Sequence, residues 1–132
     1  MGYFQTAIRV RDVKKALAFY KSLGMKETDR KSYMPGETVI TLYSPDTRAS
    51  LRLMHYTTSC KLYKTYEKGD EMDHLTFIVK DAKKDFARLV KKGAPVAFPV
   101  WEGKEVTMGM VKDPDGIWIG LRSMNKGAKK KT

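Results

Sequence analysis

Residues 5–15 and 74–84 carry one pattern at an offset of 69 positions, and this internal repeat constrains the fold more than any other feature of the chain. Val10 falls on Val79, Asp12 on Asp81, Lys14-Lys15 on Lys83-Lys84, Ala18 on Ala87 and Gly24 on Gly93, without a gap. Solenoids stack short units many times. A period of this size that fits only twice into 132 residues points instead to a duplicated half-domain.

Each copy opens with a β-branched and aromatic run, residues 4–10 and 74–79, that predicts a strand. Asp12 and Asp81 follow as N-caps, because a short carboxylate can accept from the free amides of a first helical turn. The first helix is predicted over 13–23, with Val13, Ala16, Leu17, Tyr20 and Leu23 on one apolar face and Lys14, Lys15 and Lys21 on the wet side. Gly24 and Gly93 stand where a left-handed C-cap is needed. Three further strands are predicted in each half, over 26–33, 37–43 and 49–55, then 95–100, 105–111 and 117–122. Turn signals at Met34-Pro35-Gly36, Ser44-Pro45-Asp46 and Asp113-Pro114-Asp115-Gly116 separate them. The result is an α+β chain of two βαβββ modules, about 3–56 and 73–125, in one domain over 1–125. A polar-aromatic linker covers 57–72 and a basic, disordered tail 126–132.

Composition narrows the function classes. Hydrophobic residues at 42% exclude a wholly disordered chain, and no apolar run approaches the roughly 20 residues of a spanning helix. The first residues lack the basic-then-apolar order of a signal peptide, so a cytoplasmic protein is expected. Cys60 is the only cysteine, which rules out an internal disulfide and a thiolate metal cluster. No nucleophile motif surrounds it, and an inert thiol is the plain expectation. Of the net charge of +11, Lys126, Lys129, Lys130 and Lys131 carry four units. The basic remainder favours anionic partners without naming one. The link between halves interleaves lysines with Tyr56, Tyr63 and Tyr66, a mixture that can hold phosphates and stack on bases. No nucleic-acid motif accompanies it, so nucleic acid is not the expected partner.

Four local features together carry a resemblance: Arg9-Val10-Arg11-Asp12 at a strand end, Phe19-Tyr20 before Leu23-Gly24-Met25, Asp113-Pro114-Asp115-Gly116 before the last strand, and the doubled βαβββ order. Over residues 3–125 the chain resembles the vicinal oxygen chelate superfamily, which includes glyoxalase I, bleomycin-resistance proteins and extradiol dioxygenases. The local wording is most similar to glyoxalase I, the lactoylglutathione lyases. The resemblance implies that the two modules form an eight-stranded curved sheet around a cleft, and that the protein is a homodimer whose modules pair within or between chains.

It also implies four metal-ligand positions, on the first and last strand of each module, which fall here on Gln5, Arg52, His74 and Gly120. A divalent ion such as Zn²⁺ or Ni²⁺ takes neutral nitrogen or anionic oxygen donors. Gln5 and His74 are residual donors. Arg52 is a permanent cation without an acceptor, and Gly120 has no side chain. The carboxylate base of glyoxalase chemistry is lost with them. No cofactor is therefore expected. Strand alternation adds Ala7, Arg9, Met54, Thr76, Trp118 and Arg122 to the cleft-facing set. Arg9 matches an arginine that contacts the glutathione part of the substrate in glyoxalase I. A guanidinium at position 52 suits a carboxylate or phosphate, and Trp118 can stack on a planar group.

The expectation is a cleft that binds a small, anionic molecule through Arg9, Arg52, Met54, Thr76, Trp118 and Arg122 without metal, as in the bleomycin-resistance branch. One alternative is a lyase or isomerase of glyoxalase type with an altered Zn or Ni site, His74 serving as acid–base group or as one ligand. Another is a non-catalytic interaction protein with a vestigial cleft, Arg52 pairing with Glu71 or Glu105 and His74 a satisfied core residue. Gln5 is the only glutamine of the chain, which hints that it has a use.

Overall fold

The computed structural model describes residues 1–126. Lys126 is exposed in a terminal turn, and the rest of the basic tail expected from the sequence lies outside the described residues. The chain divides into two compact units, Gln5–Asp73 and the residues from His74 onward joined by Met1–Phe4. Both carry the βαβββ order expected from the repeat.

In the amino-terminal unit, β1 (Gly2–Arg9), α1 (Val13–Ser22), β2 (Lys26–Lys31), β3 (Glu37–Tyr43) and β4 (Ser50–Tyr56) follow in sequence. The strands lie in the order β2-β3-β4-β1, with β1 parallel to β4 and the other neighbours antiparallel. A parallel pair needs a long crossover, and α1 with the two hairpin strands supplies it. Asp12 caps α1 by accepting from the Lys15 amide at 3.0 Å. The apolar stripe of α1 seats Leu17 on Ile40, Leu42 and Leu53, with Val13, Ala16 and Tyr20 around them. Ile40, Leu42 and Leu53 are all but fully buried, each worth roughly 1.5–3 kcal/mol of transfer free energy. Leu23 departs from expectation. It is the C-cap rather than a helical residue and is 65% exposed. The chain turns away at Gly24, whose φ of +93° takes it out of the helix and off the apolar stripe.

Strand alternation sends the next residue to the other face of the sheet. There Ala7, Val39, Met54, Tyr56 and Cys60 form a second buried cluster, flanked by Tyr33, Met34 and Leu62. Cys60 and Leu62 come from the segment between β4 and β5, so this link packs as part of the amino-terminal unit. The Cys60 thiol is accordingly buried.

The carboxy-terminal unit contains β5 (Met72–Ile78), α2 (Ala82–Lys91), β6 (Val96–Glu102), β7 (Val106–Lys112) and β8 (Trp118–Met124). Its strands run β5-β8-β7-β6, again with one parallel pair, β5 with β8. Asp81 accepts from the Lys84 amide at 3.0 Å, and α2 covers Val79, Ala82 and Leu121 with Phe86 and Leu89. The first residues of the chain join this unit, where Tyr3 meets Phe77 edge to face at 5.7 Å.

The parallel ladders carry the repeat into register. Ala7 pairs with Arg52 and Arg9 with Met54, while Thr76 pairs with Gly120 and Ile78 with Arg122. Arg52 and Gly120 thus occupy equivalent places in the two units, as do Gln5 and His74. Among the described residues no helix is long and apolar enough to cross a membrane.

Candidate functional site

The sheet face opposite α1 gathers the amino-terminal members of the expected set. Gln5, Ala7 and Arg9 come from β1, and Arg52 and Met54 from β4, the register placing Arg52 beside Ala7 and Met54 beside Arg9. Gln5, Arg9 and Met54 are buried, and Arg52 is half-buried.

Arg52 is a cation with little to hold it. Its Nη2 lies 3.5 Å from the Tyr33 hydroxyl and its guanidinium 5.9 Å from the centre of the Tyr33 ring. Its Nε is shut away from solvent and makes no hydrogen bond among the described residues. Among the described residues Arg52 enters no ion pair. The carboxylates considered as partners are used or placed otherwise. Glu71 accepts from the Gly69 amide at 2.7 Å, and Glu105 is exposed. Lys31 puts a second cation over the same Tyr33 ring, 5.9 Å from its centre, and Asp29 reaches that ammonium only at 3.9 Å. Tyr33 therefore has two cations at its ring, while its own amide donates to the buried Glu37 carboxylate at 3.2 Å.

Gln5 stands one step up the strand. Its Nε2 donates to Ser50 Oγ at 2.8 Å, which fixes the amide against β4. Its Oε1 is buried and accepts from nothing among the described residues.

Arg9 is held differently. Nη2 donates to the Lys64 carbonyl at 2.6 Å, Nη1 lies 3.8 Å from Asp70, and the guanidinium has the rings of Tyr56, Tyr63 and Tyr66 at 5.8, 5.7 and 5.3 Å. The link folds over Arg9 and supplies all but one of these groups. Lys64 also reaches Asp70, at 2.9 Å, and this bond with the Glu67 amide holds the Asp70 carboxyl below its ordinary range. Burial, then the Asp73 carboxylate to which it donates at 2.7 Å, pushes the Tyr56 hydroxyl far up. The sequence singled out these tyrosines only as a mixture that could stack on bases, and it gave no sign that they and Asp70 enclose Arg9. The available signal was the aromatic spacing of the link, which on its own also fits a solvated nucleic-acid surface.

The carboxy-terminal members come together on β5 and β8. His74 and Thr76 are buried, and a Cβ built on Gly120 would stand 3.5 Å from both His74 Cδ2 and Thr76 Oγ1. Trp118 is half-buried opposite Lys112, and Arg122 lies 5.2 Å from the centre of the Phe4 ring.

The donor chemistry of the four ligand positions does not fit a divalent metal. Gln5 offers a carbonyl oxygen and His74 an imidazole. Arg52 brings a positive charge where a donor is needed, and its neighbours Tyr33 and Lys31 supply no anion. Gly120 contributes only backbone.

A family model described as Glyoxalase/Bleomycin resistance protein/Dioxygenase superfamily matches residues 2–121. A lactoylglutathione lyase of Schizosaccharomyces pombe is 26% identical over 86% of this chain, which spans 42% of that protein's length. Among solved structures, a hypothetical protein from Bacillus halodurans superposes with a TM-score of 0.75 at 17% identity, covering 97% of both chains. Methylmalonyl-CoA epimerase from Mycobacterium tuberculosis superposes with a TM-score of 0.74 at 22% identity, over 92% of this chain and 87% of the other. These structural likenesses establish the fold.

Proposed function

We propose, from the superfamily to which this chain belongs, the glyoxalase/bleomycin resistance protein/dioxygenase group, and from the state of Arg52, that it binds a small anionic molecule without a metal ion. The observation that carries this reading is the Arg52 guanidinium, buried at Nε, without an ion pair among the described residues, and resting on Tyr33. A buried donor without an acceptor costs about 1–3 kcal/mol, and Arg52 Nε is such a donor among the described residues. An anion seated in its fork offsets that cost and gains bidentate hydrogen bonds. Lys31, whose ammonium lies 5.9 Å from the centre of the same ring, adds long-range attraction. The names of the relatives fit this chemistry, since lactoylglutathione and methylmalonyl-CoA are both anions.

In this reading Met54 packs the floor beside Arg52, two residues along β4 on the same face. Arg9 is held by the link and acts by shaping the face rather than by receiving the anion. The assembly we propose is a homodimer, to be measured by light scattering.

Screening small carboxylates and phosphates by melting temperature tests the proposal. Acids that raise the melting temperature of the natural protein lose that effect in Arg52→Ala, while neutral analogues never had it. Equal shifts in both proteins refute it.

A second reading has one observation in its favour. His74 is buried beside Thr76 at Gly120, where position 120 contributes no side chain between a ligand and the imidazole. With the similarity to a lactoylglutathione lyase, this supports a lyase or isomerase of glyoxalase type, using His74 as acid–base group or as a lone metal ligand. Metal dependence separates the two.

A further inference from the structure

Two buried polar groups on one sheet face lack partners, and they are of opposite kind. Among the described residues Arg52 Nε is a donor with no acceptor, and Gln5 Oε1 is an acceptor with no donor. Gln5 is only 3% exposed, and its other amide atom is already fixed on Ser50 Oγ at 2.8 Å. The register makes them diagonal neighbours, since Ala7 pairs with Arg52 and Gln5 lies two residues earlier on β1. From strand spacing and rise, such diagonal positions are about 8 Å apart at the backbone. Long side chains close much of that distance.

A bare anion would satisfy only half of this arrangement. Chloride, acetate or a fully ionised phosphate accepts from Arg52 and leaves Gln5 Oε1 as it was, because none has a proton to give. An amino acid gives a proton, but its ammonium group would sit beside Arg52 and be repelled. A buried acceptor without a partner costs free energy in the empty site, and a ligand that supplies the missing proton recovers it.

We propose that the ligand is a carboxylate that carries a neutral O–H or N–H donor within a few bonds of its anionic group. Hydroxy acids and N-acylated amino acids belong to this class. The carboxylate takes the Arg52 fork and the neutral donor meets Gln5 Oε1. Ser50 is the positioning residue, since its hydroxyl holds the amide with the oxygen facing inward. This inference rests on the anion reading of Arg52, and it adds the requirement for a donor.

The test uses matched pairs that differ in the donor alone. Glycolate is compared with methoxyacetate, and N-acetylglycine with N-acetylsarcosine, by calorimetric titration and by melting temperature. The natural protein prefers the donor-bearing member of each pair by about five- to tenfold. In Gln5→Leu the preference falls to about one while dependence on Arg52 persists. Ser50→Ala, the milder variant if Gln5→Leu folds poorly, narrows the preference in the same direction. Equal affinity within each pair, still lost in Arg52→Ala, overturns the donor requirement and leaves the anion reading standing. Tighter binding of the methylated twin overturns it too, for it means that the amide presents its NH₂ group to the ligand. Absence of saturable binding by all four acids, or binding indifferent to Arg52→Ala, overturns both readings.

Discussion

Arg9 Nη2 donates to the main-chain carbonyl of Lys64 at 2.6 Å, joining β1 to the link across 55 residues of chain. The same guanidinium lies among three tyrosine rings and within 3.8 Å of Asp70. Its own amide donates to the Glu71 carbonyl at 2.8 Å. One residue of the first strand therefore holds the link from Tyr63 to Glu71.

Arg9→Ala removes a charged hydrogen bond and the cation–ring contacts together, and opens a void beneath the link. The expected loss is about 2–4 kcal/mol in urea unfolding. Amides of residues 60–71 exchange faster in the variant, while those of α2 keep their protection. Arg9→Lys rescues only part of the loss, because an ammonium cannot hold the Lys64 carbonyl and face three rings in one geometry. Uniform loss of protection across the molecule would mean that Arg9 supports the whole fold rather than this segment.

The link also responds to acid. Asp70 titrates below its ordinary 3.8, chiefly through the Lys64 bond and then the Glu67 amide. Glu71 titrates below its ordinary 4.5, through its own amide and that of Gly69. A carboxyl whose folded pKa is depressed contributes stability that is fully present above the unfolded value and vanishes as pH falls through the folded one. The contribution of this pair is thus intact at neutral pH and begins to fall once pH drops below about 4.5. Protection factors of the link amides, corrected for the intrinsic pH dependence of exchange, fall over that range. In Asp70→Asn the acid-dependent part shrinks, and the link starts less protected at pH 7. A pH profile identical in the two proteins would show that Asp70 does not set it.

The repeat made most of this fold legible. Asp12 and Asp81 act as caps where the pattern placed them, and the sheet order follows from a crossover between parallel strands in each half. Leu23 was misjudged because helical spacing carries an apolar residue onto the buried face only while the helix lasts, and the helix ends at Ser22. The strands of the Arg52 face could be found from alternation, since Gln5, Ala7, Arg9, Arg52 and Met54 keep one parity. The cover over Arg9 could not. Its contacts join residues more than fifty positions apart in a segment with no period, and nothing local in Tyr63 or Tyr66 says which cation they will meet. Tyr33 was hidden because the strand predicted over 26–33 ends at Lys31, and Tyr33 packs against Arg52 from beyond that end.

Two glycines on the same footing in the sequence differ sharply in the structure. Gly36 has a φ of +82°, and a Cβ there would come within 2.9 Å of the Cys60 amide and closer still to Thr57 Oγ1 and Ser59 Oγ. Gly36→Ala combines a disfavoured backbone with overlap against the start of the link, for a loss of about 2–4 kcal/mol. A Cβ on Gly120 meets its neighbours at ordinary contact distances of 3.5 Å and more. Gly120→Ala therefore stays within about 1 kcal/mol of the natural protein. Thermal unfolding of both variants checks the contrast, and equal losses would contradict it.

Metal removal is the remaining measurement, and it bears on the chemistry most directly. Stripping the protein with a chelator leaves its melting temperature unchanged, because the four ligand positions provide one amide oxygen, one imidazole, a cation and no side chain. Titrating Ni²⁺ or Zn²⁺ into the stripped protein gives no tight one-to-one step, and His74→Ala behaves like the natural protein. If Arg52 receives the carboxylates as proposed, adding the metal does not alter their binding. The opposite result, a tight single site abolished by His74→Ala, would place a metal beside the imidazole despite Arg52. The anion reading would then give way to the glyoxalase-type reading, and activity would be sought with the metal bound.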